Sequence, residues 1–218
     1  MKKKIFISQH ANKNLIDFFQ ALSYSVELLN AHGKTYPAVD AHPDIYMCKM
    51  GVDRHNHVFH GDFTEIGYSY PENIRFNAVC LDDYFIHNLK FTSPSLLSEA
   101  RRLGLTLIHV KQGYTKCSCV VIDGRSLITA DDGIFNRLQQ FTDMDILKIR
   151  PGFVRLPGFE YGFLGGASGR VGNEIIFNGN LSEHPDYEAI KQFIEIRGLT
   201  VKYFPEYPLT DIGSIIEG

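Results

Sequence analysis

"RHNHVFHGD", residues 54–62, places three histidines and an aspartate within nine residues. His55, His57 and His60 follow the spacing H-x-H-x-x-H, with Asp62 just beyond. Alternate histidines on an extended segment can reach one metal ion, and imidazole suits zinc or iron. A hydrolase built on these three residues is therefore one reading of the stretch. A polar hairpin whose imidazoles hold no metal is the plainer and preferred one.

Other residues could also do chemistry. Cys117 and Cys119 form C-x-C on an expected strand, so their side chains share a face. Such a pair suits a soft metal or redox chemistry, but two small core residues are favoured. Cys48 and Cys80 lie in apolar runs and read as core. "GFLGGASGRVG" lacks the G-K-[ST] of a phosphate-binding loop, so its glycines are read as tight turns. Arg170 within it is placed either against an anionic ligand or in a surface ion pair. "PGFVRLPGFEYGF" is apolar and proline-punctuated, suited to covering a pocket or to a homo-oligomeric interface. "HPD" occurs at 42–44 and 184–186 and is read as coincidence.

These residues need elements to hold them. "NLIDFFQALSYSVELLNAHG" sets Leu15, Phe18, Phe19 and Leu22 at helical spacing before an apolar run at 26–29. In "SPSLLSEARRLGLTLIHV", Ser93 caps, Pro94 takes the first helical position, and Gly104 ends the helix before a strand over 105–110. "IFNRLQQFTDMDILKI" repeats the plan with a strand at 146–149. "PDYEAIKQFIEIRGLTVKYF" does so again, with Gly198 closing the helix before 199–204. Ahead of the last three helices stand "AVCLDDYFIHN", "CVVIDGRSLITA" and "NEIIFNGNLSE". Each reads as strand, two-residue turn and strand, with the turns at 82–83, 123–124 and 178–179. The unit is strand, hairpin, strand, helix, strand, with an earlier degenerate copy between "KIFISQ" and "DIYMCKMG". Units of this kind bury their apolar faces by stacking on one another. With no Pro/Ser-rich linker between them, residues 1–218 read as one α/β domain with internal repeats, clearest from about 70 to 218.

Bulk properties narrow the function classes. The formal net charge of −3 gives no electrostatic case for nucleic acid. No run approaches the ~20 apolar residues of a membrane span. The opening "MKKKIFISQHANKN" is too short in apolar residues for a signal-peptide core. Four cysteines in 218 residues make no disulfide framework. A cytoplasmic protein is expected.

Three segments carry a family resemblance. "ENIRFNAVCLDD", "GFLGGASGRVGNEIIFNG" and "YPLTDIGSIIEG" resemble segments of the pentein, or guanidino-modifying-enzyme, superfamily. The pair "FLGGASG" and "LTDIGSI" is similar to an uncharacterised bacterial branch assigned to the same fold. The resemblance implies a pentein-like α/β-propeller of repeated strand–hairpin–strand–helix–strand units, some reduced, around a pseudo-fivefold axis. It also implies a ligand near that axis, at Gln9, His10, Asn77, Gln112, Asp211 and Ser214. Arg170 of the glycine-rich stretch is a further candidate there, although a surface ion pair is favoured for it. Asp211 would hold a guanidinium or amine.

The catalytic elements depart from the pattern. The family's hydrolases attack guanidinium carbon with a cysteine near the C-terminus, yet no cysteine follows Cys119 here. Ile212, Gly213 and Ser214 occupy that region, Phe76 stands at the acid position, and Phe163–Gly165 replace an expected histidine. The leading expectation is a cofactor-free pseudoenzyme that binds a small polar guanidino or amino ligand without thiol chemistry. The alternatives are a metal-dependent hydrolase using His55, His57 and His60 with zinc or iron, and a non-catalytic homo-oligomer. The histidine spacing also resembles the metallo-β-lactamase H-x-H-x-D-H, but Phe59 stands where that family has its aspartate.

Overall fold

A computed structural model describes residues 3–218. In chain order the elements are β1 (Lys4–Ser8), α1 (Lys13–Ala21), β2 (Ser25–Leu29), α2 (Pro43–Tyr46), β3 (Met47–Met50) and β4 (His57–His60). Then come β5 (Val79–Cys80), β6 (Tyr84–His87), α3 (Pro94–Arg102), β7 (Thr106–His109), β8 (Cys119–Val121), β9 (Ser126–Thr129), α4 (Asp132–Leu138) and β10 (Asp145–Lys148). The last are β11 (Ser168–Val171), β12 (Glu174–Phe177), α5 (Tyr187–Glu195), β13 (Thr200–Lys202) and β14 (Ile216–Glu217). The protein is thus mixed α/β, with several small sheets and short helices.

Local chemistry sets the helix ends. Ser93 Oγ accepts from the amides of Ser95 and Leu96, Pro94 opens α3, and Gly104 (φ +74°) follows its end. Asp131 caps α4 through the Ile134 amide, and Gly198 (φ +73°) turns the chain after α5. Each of the four longer helices, α1, α3, α4 and α5, lays one stripe on the sheets: Leu15 and Phe19, Leu96 and Ala100, Ile134 and Leu138, Ile190 and Ile194, all fully buried. Burying each Leu, Ile or Phe among them contributes about 1.5–3 kcal/mol before entropy is set against it.

The sheets share a topology. β5-β6-β7, β8-β9-β10 and β11-β12-β13 each have an antiparallel first pair and a parallel second pair, reached through a helix. The first sheet is β14-β1-β2, with β14 antiparallel and β2 parallel to β1. Its antiparallel partner therefore comes from the far end of the chain. β3 and β4 form a two-stranded sheet without a helix.

One expected hairpin is displaced. The turn between β11 and β12 lies at Gly172–Asn173, where Gly172 (φ +57°) supplies the left-handed conformation, and not at Asn178–Gly179. Gly179 (φ +121°) serves a close approach instead, because a Cβ there would lie 2.3 Å from the Pro208 carbonyl oxygen. Among the described residues no helix is long and apolar enough to cross a membrane.

Candidate functional site

The segments leading into β3, β5, β8, β11 and β14 meet in a buried polar cluster. Asp44 comes from α2, Asn77 from just before β5, Lys116 and Cys117 from before β8, Gly165 from before β11, and Asp211 and Ser214 from before β14. Asn77 is fully buried and ties three of these segments together. Its Oδ1 accepts the amides of Lys116 (2.8 Å) and Cys117 (3.2 Å), while its Nδ2 donates to the Asp44 carbonyl (3.3 Å) and Cys117 Sγ (3.2 Å). Ser214 Oγ donates to Asp44 Oδ2 at 2.7 Å and accepts from Lys116 Nζ at 3.0 Å, and that ammonium also donates to the Gly165 carbonyl (3.2 Å). Ser214 holds φ +76°, a left-handed geometry that costs a non-glycine residue about 1–2 kcal/mol. Gly213 beside it has φ +70°, and a Cβ there would lie 2.1 Å from His42 Cβ.

Asp211 accepts the Phe163 amide (2.9 Å) and the Gly213 amide (3.0 Å), and its Oδ1 lies 3.8 Å from His42 Nδ1. Burial governs the ionisation of this cluster. It raises Asp44 above the carboxylate range, lifts Asp211 to about 6 against the two amides and Lys116, and lowers His42 to about 4. Asp44 Oδ1 and His42 Nδ1 have no hydrogen-bond partner.

The cluster is poorly suited to nucleophilic catalysis. Burial first, and then the Asp44 and Asp211 carboxylates, push the Cys117 thiol well above its usual range, so it remains protonated. Burial likewise lifts Cys80 and Cys119 to about 12 and drives Cys48 well up. Ser214 is fully buried beneath Lys116, and it lines neither of the two cavities near this cluster.

Two separate cavities lie near this cluster. The first, of about 260 Å³, draws its wall from β3, β5, β8, β11 and β14 through Lys49, Cys80, Val121, Arg170 and Glu217, with Lys116 also lining it. The second, of about 350 Å³, lies between the β8-β9-β10 region and the 150–164 loop, and includes Gln112, Asp131, Phe153, Tyr161, Phe163 and His184. Asp131 Oδ2 accepts from Gln112 Nε2 at 3.0 Å, but among the described residues no cationic side chain pairs with this carboxylate. The neighbouring charges are already paired, Asp132 with Lys148 and Arg150 with Asp186.

The expected ligand residues are thus divided. Asn77, Asp211 and Ser214 converge as buried members of the hydrogen-bonded cluster. Gln112 lines the second cavity and Arg170 the first. Gln9 and His10 are exposed just beyond β1. The sequence reading missed Asp44, Lys49, Lys116, His42 and Asp131. Only the "HPD" at 42–44 hinted at any of them, and it was read as coincidence.

The three clustered histidines do not converge. His55 is exposed at φ +65°, His57 Nε2 lies 3.1 Å from Glu99 Oε1, and His60 meets the Phe6 ring edge-on at 5.6 Å. His57 and His60 are three residues apart on β4 and so face opposite sides. Asp62 is occupied in accepting the Thr64 amide and hydroxyl. Among the described residues, no three His, Cys, Asp or Glu side chains are grouped to hold a metal ion. The geometry therefore gives the metal-hydrolase expectation no site at 55–60.

The chain is thus a mixed α/β protein of several small sheets, with a buried polar cluster and two separate cavities beside it. Residues 6–216 match a family of unknown function (DUF6873), and the chain belongs to that family. Among curated proteins, none matches it.

Proposed function

We propose that the chain is a pentein-type α/β-propeller that binds a small amino or guanidino compound in the second cavity, without thiol chemistry. The observation that carries this reading is Asp131, a carboxylate with no cationic partner among the described residues, in a cavity that also holds Phe153, Tyr161 and Phe163. A carboxylate has about four acceptor sites, and Ile134 and Gln112 use two of those on Asp131. A compact organic cation supplies the missing charge and stacks on aromatic faces, an interaction worth about 0.5–2 kcal/mol per ring. The five small sheets, four of them with an antiparallel and a parallel pair, support the propeller reading. The protonated, buried thiols support a pseudoenzyme. Four unpaired cysteines accord with a cytoplasmic location.

Asp131→Asn tests this, because asparagine caps a helix about as well as aspartate. Calorimetric titration with agmatine and with arginine is expected to show saturable binding. The substitution should weaken it about tenfold or more, as loss of a charge-assisted hydrogen bond predicts, with little change in melting temperature. Binding unaffected by the substitution, or no binding by either compound, would sink the proposal.

Phe153, Phe159 and Tyr161 are 48%, 51% and 39% exposed, which favours a second reading, self-association through this loop. Sedimentation velocity over a hundredfold concentration range is then expected to show a dimer that Phe159→Ser dissociates. A monomer at every concentration would remove that reading.

A further inference from the structure

The first cavity shares no lining residue with the second, and its charges have the opposite sign. Lys3, Lys49, Lys116 and Arg170 line it, against only Asp53 and Glu217. Both carboxylates are already engaged. Asp53 Oδ1 accepts from Arg170 Nη2 at 3.0 Å, and Glu217 Oε1 accepts from Lys3 Nζ at 3.0 Å. Among the described residues, the ammonium groups of Lys49 and Lys116 make no ion pair with a carboxylate.

Lys49 Nζ donates to the Glu217 carbonyl at 2.6 Å, and Lys116 Nζ donates to the Gly165 carbonyl and Ser214 Oγ. These partners satisfy hydrogen bonds and are themselves neutral. The Glu217 carboxylate acts on Lys49, and Asp44 and Asp211 on Lys116, only through space and without an ion pair. Each ammonium has three donors, so Lys49 retains two and Lys116 one. Lys49 is half-buried, and burial lowers its proton affinity by more than the Glu217 carboxylate raises it. A bound anion would reverse that effect. Ala78, Cys80, Val121 and Ile216 make much of the remaining wall apolar, so a charge bound there is less screened than at an open surface.

The wall is also held in place. Asp82 Oδ1 accepts the amides of Val52, Asp53 and Arg54 at 2.9, 3.1 and 3.0 Å, fixing the loop that carries Asp53. Glu217 Oε2 takes the Gly172 amide at 3.1 Å, fastening the β11–β12 turn to β14. Arg170 Nη1 donates to the Ile122 carbonyl at 3.0 Å. The charged groups are thus anchored by backbone from different sheets. At about 260 Å³ the cavity lies just below the usual range for small-molecule sites, which suits a compact ligand.

We propose that this cavity is a binding site for a small dianion, a phosphate ester or a dicarboxylate, whose two charges are met by Lys49 and Lys116. It stands independently of the amino-compound reading, because the two sites lie in different cavities and select opposite charges.

Titration calorimetry on the whole chain, in a chloride buffer, tests it with inorganic phosphate, pyrophosphate, succinate and citrate. At least one of these is expected to bind with one-to-one stoichiometry and a Kd of about 1 mM or tighter. Lys49→Gln should weaken it about tenfold or more, as loss of a partly desolvated charge contact does, while the circular dichroism spectrum stays unchanged. Lys116→Gln should weaken it similarly, but Lys116 also braces Ser214, so Lys49→Gln decides if that variant misfolds. Binding of phosphate and pyrophosphate alone assigns a phosphate ester, and binding of succinate or citrate alone assigns a carboxylic acid. Either supports the site. Failure of all four to bind, or binding that Lys49→Gln leaves intact, overturns it.

Discussion

Asn77→Ala is expected to lower unfolding stability by about 3–5 kcal/mol, through a cavity and unpaired buried polar groups together. The Cys117 amide loses its Asn77 Oδ1 acceptor, and the Asp44 carbonyl loses the Asn77 Nδ2 donor. The Lys116 amide is partly protected, because the main-chain carbonyl of residue 77 accepts from it at 3.1 Å. Urea denaturation should show the midpoint falling by about 1–3 M, given the slope usual for a chain of this size. Asn77→Asp is a sharper comparison. It keeps the acceptor for both amides but faces the Asp44 carbonyl without a donor and adds a carboxyl group near Asp44. That variant should regain much of its stability on acidification, whereas Asn77→Ala should not. A loss below about 1 kcal/mol for Asn77→Ala would show that residue 77 is not a brace, and would return it to the ligand-binding candidates.

This role for Asn77 shows where the sequence was legible. Helix boundaries were readable because their causes are local: Ser93 and Pro94 start α3, and Gly104 and Gly198 follow α3 and α5 within a few residues. The hairpins at Asp82–Asp83 and Asp123–Gly124 were readable for the same reason. The Asn178–Gly179 turn misled because glycine meets two different needs, a left-handed turn and close backbone approach, and the sequence does not say which. The earliest unit looked degenerate because β1 takes its antiparallel partner from β14, and neither strand carries a signal for a pairing across the whole chain.

The site was half legible. Asn77, Asp211 and Ser214 came forward as a group through resemblance, and they do converge. Their partners Asp44 and Lys116 lie on different lead-in segments, where no periodicity marks them. The unpaired charges of Asp131, Lys49 and Lys116 are properties of three-dimensional pairing and have no sequence signature. The histidines misled in the opposite way, since regular spacing along β4 and its turn sends their rings to different neighbours.

The buried pair His42 and Asp211 gives the second large effect, and it is read from pH. Burial lifts Asp211 from 3.8 to about 6, so the folded chain holds a proton that the unfolded chain releases. Its contribution to stability is full below about pH 4 and is lost as pH rises through 6. Burial lowers His42 from 6.5 to about 4, so the folded chain refuses a proton that the unfolded chain takes. That contribution is full above pH 6.5 and is lost as pH falls through 4. The two slopes oppose each other across the same window, each amounting to about 3 kcal/mol end to end. Asp44 and His10 face His42, and Lys116 acts on both Asp44 and Asp211. Asp44, also raised by burial, adds to the side that falls with pH.

His42→Gln should therefore make stability fall more steeply than in the parent between pH 4 and 6. Asp211→Asn should tilt the slope the other way, whatever it costs overall by turning an amide toward the Phe163 or Gly213 N–H. The double variant should return towards the parental slope. Urea unfolding at half-unit pH steps measures all three, with single-variant changes approaching about 1.4 kcal/mol per pH unit. Two single variants that shift the slope in the same direction would mean that the pair does not divide its protons in this way. In that case Asp44 would be the group that sets the pH response of the sealed cluster.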